Sequence, residues 1–100
     1  MASNIGTLLL DVLKPHDPSI IELAQRLAAL DGIEGVDISV VEVDARTEST
    51  MVSLVGTAID FDAVRAEIEE TGATVHSIDR VSVGVGPMLA AAQSESDDEG

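Results

Sequence analysis

An α+β fold, with one antiparallel sheet of four strands and two helices on one of its faces, is predicted by three features of these 100 residues. Four segments carry strand patterns, two carry apolar residues at helical spacing, and turn residues separate them in the order βαββαβ. Crossover connections are right-handed, so both helices fall on the same side of the sheet. The economical solution is the ferredoxin-like split βαβ arrangement with strand order 4-1-3-2.

Each element has its own warrant. "GTLLLDVL", Gly6 to Leu13, is apolar on both faces and reads as an interior strand. "KPHDPS" follows as a loop, because Pro15 and Pro18 disfavour helix in the residues before them. Either Asp17 caps the first helix with Pro18 at its first position, or Ser19 caps it and Glu22 completes a capping box. "SIIELAQRLAAL" sets Ile20, Leu23, Ala24, Leu27 and Leu30 on one stripe, and Gly32 stops it. "GVDISVVEVDA" is a β-branched second strand, "ARTES" a polar turn, and "TMVSLVG" the returning third strand. Asp60 or Asp62 caps "FDAVRAEIEETG", whose Phe61, Val64 and Ile68 point inward and which Gly72 ends. "ATVHSIDRVSVGV" is the fourth strand.

This assigns residues 1–86 to one domain and 87–100 to an acidic disordered tail, since "PMLAAAQSESDDEG" loses all periodicity. One domain of this length buries roughly two-thirds of its unfolded surface. With Phe61 the single aromatic residue, its core is aliphatic.

The charge narrows the partners. Nineteen acids against five bases give −14, and without Glu95, Asp97, Asp98 and Glu99 the balance is still 15 acids to 5 bases, or −10. Lys14 is the single lysine. A surface of this sign repels phosphate backbones, so nucleic acid is not an expected partner. Self-repulsion opposes the compact state at low salt, whereas molar salt shortens the Debye length to about 3 Å. Many acids, few lysines and small apolar side chains point to a salt-rich cytoplasm, as in halophilic archaea. No apolar run reaches the roughly 20 residues of a membrane span, and no basic-then-apolar leader opens the chain. A cytoplasmic protein without a membrane partner is expected. The absence of cysteine removes disulfides and thiolate chemistry.

Strand one presents Leu8, Leu10 and Val12 on one face but Leu9 and Leu13 on the other. Strand two presents Val36, Ile38 and Val40, then Val41 and Val43 with the opposite parity. Two helices cover one face only, so self-association is expected to cover the rest.

Topology also gathers polar residues. The ends of strands one and two and the beginnings of strands three and four meet at one edge. That edge collects the "KPHDPS" loop, the hairpin end around Glu42, Asp44 and Glu48, and His76. Asp11 lies one pleat further in. Asp11, His16, Asp44 and His76 offer two carboxylates and two imidazoles, a donor set suited to a divalent metal ion such as Zn²⁺ or Ni²⁺. Asp11, Glu42 and Asp44 alone would suit Ca²⁺ or Mg²⁺. Alternatively, Asp11, Lys14, His16, Ser19, Glu42 and His76 form a small-ligand site, with free N–H groups at the helix start adding capacity for an anion. The plainer alternative leaves His16 solvated, His76 bonded to a neighbouring strand, and Asp11 paired with Lys14 or Arg80. No motif names a cofactor, and a divalent ion is the one candidate. Catalysis is not expected. There is no G-x-S-x-G elbow, "VGVGP" leads into no capped helix, and His76 and Ser77 point to opposite faces of a strand.

The phrases "LDVLKPH", "PS", "VVEVD", "TE" and "HSIDRV", spread from Thr7 to about Val83, resemble the small archaeal proteins grouped as domain of unknown function 211. The resemblance implies a ferredoxin-like fold, an archaeal source and assembly of several copies into a homo-oligomer, and it implies no reaction. Its motif positions fall on Asp11, Lys14, Pro15, His16, Pro18, Ser19, Glu42, Asp44, His76, Ser77 and Asp79. The acidic segment after Pro87 reads as this chain's own addition.

Overall fold

The computed structural model describes residues 4–84. Strand β1 (Ile5–Pro15), helix α1 (Ile20–Ala28), strands β2 (Ile33–Val43) and β3 (Thr47–Gly56), helix α2 (Phe61–Glu70) and strand β4 (Thr74–Val83) follow one another in that order. The sheet order is β2-β3-β1-β4 with every neighbouring pair antiparallel, the ferredoxin-like arrangement. The tail expected from residue 87 lies outside the described residues.

Alternation along β1 divides the molecule. Leu8, Leu10, Val12 and Lys14 are buried, while Thr7, Leu9, Asp11 and Leu13 lie on the opposite, helix-free face. The buried row continues across β3 through Val52 and Leu54, registered against Leu10 and Leu8. Above it pack Leu23 and Leu27 of α1 and Val64 and Ile68 of α2. Each such side chain removed from water contributes about 1.5–3 kcal/mol, so this aliphatic layer is the principal source of stability.

Of the two alternatives for each cap, the structure selects one. Ser19 caps α1, its hydroxyl accepting from the Glu22 N–H at 3.2 Å, and Asp60 caps α2, accepting from Ala63 N–H at 3.2 Å. Arg26 of α1 donates to Glu67 of α2 at 2.7 Å and ties the helices together over the core. At the far end, Gly56 packs so closely on Gly32 that a Cβ there would stand 1.9 Å from the Gly32 carbonyl oxygen. No larger residue fits.

Two strand expectations need correction, and both bear on the site. First, β1 runs on through Lys14 and Pro15, which the sequence placed in the loop. Pro15 ends a strand at no cost to the ladder on its β4 side, because pairing with β4 begins at Leu13 opposite Thr74. Lys14 therefore inherits the buried parity of Leu8, Leu10 and Val12. Second, β2 carries a register shift between Val40 and Glu42, leaving Val41 as the extra residue. Val43 pairs with Glu48, on the row that holds Lys14, and so returns to the parity of Val40 instead of standing opposite to it.

Candidate functional site

The residues expected to form one site form two groups, on opposite sides of the sheet. The first group centres on Glu48. Because Lys14 pairs with Glu48 in the β1–β3 ladder, both side chains leave the same face. The Lys14 ammonium, 1% exposed, donates to Glu48 Oε1 at 3.1 Å and to the Pro15 carbonyl at 2.8 Å. Glu48 Oε2 lies 3.0 Å from Nδ1 of His16, whose Nε2 lies 3.1 Å from the Ala45 carbonyl. The loop leaving β1 is thereby fastened to the β2–β3 hairpin. The hydrogen bond that the ring donates to Glu48, and then the one it donates to the Ala45 carbonyl, raise the His16 pKa above its ordinary 6.5. The bonds from His16 and then from Lys14 lower Glu48 below its ordinary 4.5. With its ammonium committed here, Lys14 does not serve an anion at the start of α1, and the Ser19 hydroxyl is occupied by the cap.

The second group lies on the helix-free face. Asp11, Leu13, Ser49 and His76 line a hollow of about 190 Å³. Ser49 stands opposite Leu13 in the ladder, and a register shift in β4 between the partners of Asp11 and Val12 leaves His76 as the extra residue beside them. Asp11 pairs with neither of the cations proposed for it. The ion pairs among the described residues run from Lys14 and His16 to Glu48 and from Arg26 to Glu67 and Glu70, and the half-buried Asp11 carboxylate takes part in none of them. Ser77 donates to Asp79 at 2.7 Å and is not coupled to His76.

The remaining candidates stand apart. Asp44 is exposed in the hairpin turn, where its N–H donates to the Thr47 carbonyl. Glu42 is exposed on the free edge of the sheet, opposite Ser49. Asp11, His16, Asp44 and His76 therefore do not converge, and among the described residues no group of three or more His, Asp or Glu side chains is placed to hold a metal ion. The two histidines share an end of the sheet but not a site. The cause is the pleat: the Lys14–Glu48 row and the Asp11–Ser49 hollow open on opposite faces. Sequence reasoning undervalued Glu48 and passed over Ser49. Continuing the buried parity of β1 one step past Val12 would have identified Lys14, and with it the need for a carboxylate partner.

The model of an uncharacterised family, DUF211, described as "Uncharacterized ArCR", matches residues 7–97. The chain belongs to this family. An uncharacterised protein of Methanocaldococcus jannaschii, MJ0319, is 44% identical over 82 residues, which is 82% of this chain and 84% of that protein. The DUF211 match extends past Val83 as far as residue 97, so the segment after Pro87 is not wholly an addition peculiar to this chain. No helix among the described residues is long and apolar enough to cross a membrane.

Proposed function

We propose that this DUF211 protein is a non-enzymatic, homo-oligomeric binding or scaffolding module of a salt-rich archaeal cytoplasm. The observation that carries the reading is the apolar surface on both sheet edges. On β2, Val40, Val41 and Val43 are exposed, the last two at 64% each; on β4, Ile78, Val81 and Val83 are all at least half exposed. Among the described residues, both strands also leave one side of their backbone without a partner strand. Long apolar edges are surfaces that proteins protect or pair. A second copy supplies the cover without further machinery. The charge of −14 makes such assembly salt-dependent, since copies repel until counterions screen them.

The test is the mass in solution by light scattering in molar KCl. A multiple of the 10.4 kDa chain is expected. A monomer at every protein concentration overturns the reading.

A second reading, a sensor of a small ligand, is favoured by the hollow at Asp11 and His76. It requires no assembly, although a neighbouring copy across the open face would enclose the hollow further.

A further inference from the structure

Resting on that second reading, we propose that the hollow on the helix-free face binds the primary ammonium end of a small aliphatic amine. The charge selects a cation: Asp11 lies in the hollow outside every ion pair among the described residues, in a chain of net −14, and the lining residues include neither arginine nor lysine to receive an anion. The donor set selects an organic cation over a metal ion. Asp11 and His76 supply two metal-ligating side chains; Glu42 stands on the far side of Ser49, and among the described residues no group of three such side chains is placed to hold a metal ion.

A protonated primary amine, by contrast, has three N–H donors to place. The residues lining the hollow carry three groups able to accept: the Asp11 carboxylate, the Ser49 hydroxyl oxygen and a ring nitrogen of His76. Leu13, 41% exposed, is its apolar wall, and Met51, the ladder partner of Asp11 on β3, flanks it on the same face. At about 190 Å³ the hollow has room for an ammonium head with a short methylene chain lying on Leu13. The aspartate in the middle of an apolar central strand is then the anchor of this site. It holds the charge, Ser49 and His76 fix its direction, and Leu13 discriminates against a bare ion.

The test is a titration of the isotope-labelled full chain with n-butylammonium chloride at constant KCl, read by NMR at the amides of Asp11, Leu13 and Ser49 and at the ring of His76. Sodium butyrate, n-butanol and zinc chloride serve as comparators. Saturable shifts confined to these residues are expected with butylammonium, weakened about tenfold or more in Asp11→Asn by loss of a charge-assisted bond. Ser49→Val, which spares the charge, is expected to weaken binding as well, and His16→Gln to leave it unchanged. No saturable shift with butylammonium, or shifts spread evenly over the acidic surface, overturns the proposal. If zinc or butyrate saturates the hollow and butylammonium does not, the ligand class falls while the sensor reading stands. If none of the four does, both fall.

Discussion

Removing the carboxylate of Glu48 and removing the ammonium of Lys14 break the same 3.1 Å ion pair, yet they are expected to differ sharply in cost. Glu48→Ala leaves a charged ammonium, 1% exposed, with the Pro15 carbonyl as its remaining partner. Stranding a buried charge costs about 3–5 kcal/mol. Glu48 is itself 19% exposed, so water reaches the vacated side, and the Pro15 bond at 2.8 Å persists; the low end, about 3 kcal/mol, applies. For a domain of this size, where 1 kcal/mol moves Tm by about 4–8 °C, that is a fall of about 12–24 °C. Lys14→Met removes the charge instead. The unbranched thioether fills the volume of the lysine stem, and Glu48 keeps both its His16 bond and its access to water. Its expected cost is below about 1 kcal/mol, because the charge left behind sits on Glu48, which is 19% exposed and still bonded to His16, and none is stranded in the core.

The chain has no Trp or Tyr, so the assay is thermal or urea unfolding followed by far-ultraviolet circular dichroism, at fixed KCl and fixed protomer concentration. Lys14→Met placed in the Glu48→Ala background should restore most of the lost stability, which makes the double-mutant cycle strongly non-additive. A Glu48→Ala variant that loses less than Lys14→Met, or a double variant no better than Glu48→Ala alone, would refute the burial of the ammonium as the governing term.

Three further outcomes are expected. The His16–Glu48 contact should give a bounded pH window. The raised pKa of His16 contributes stability that is complete below about 6.5 and lost as pH climbs through the folded value. The lowered pKa of Glu48 contributes above about 4.5 and fails as pH drops through its folded value. The stability gap between wild type and His16→Gln, measured by urea unfolding across pH, should therefore peak between those limits and shrink on the alkaline side; a gap that grows with pH contradicts the pairing. Gly56→Ala should cost several kcal/mol or prevent folding, because the new methyl would meet a backbone oxygen at 1.9 Å that no rotamer relieves; near-native Tm on thermal unfolding would show that the β3 end yields. Finally, lowering KCl should lower Tm progressively in circular dichroism, through the repulsion of 19 acids against 5 bases. A protein equally stable in dilute buffer removes the halophilic reading.

Where the sequence succeeded and where it stopped can be traced to particular residues. Strand and helix periodicities are local, and Ser19, Asp60 and Gly72 punctuate them at or beside the observed caps, whereas α1 ends at Ala28, short of the stop expected at Gly32. The right-handed crossover then leaves one economical sheet order, which the structure adopts. The candidate site failed on finer facts. Lys14 reads as a loop residue because it precedes proline, yet one extra strand position turns it into the core. A β2 bulge at Val41 and a β4 shift at His76 reset which side chains share a row, and such shifts leave no periodic signature.

By itself, then, the sequence determined the order of elements, the aliphatic core and the sign of the surface, because each depends on residues within a few positions of one another or on a simple sum. Only the tertiary structure decided which charges meet. Glu48 claims Lys14 and His16, 34 and 32 positions away, while Asp11 is left facing His76 across a hollow. The physical reason is the two-residue period of the pleat: a displacement of one position transfers a side chain from one face of the sheet to the other, and that displacement is set by long-range register.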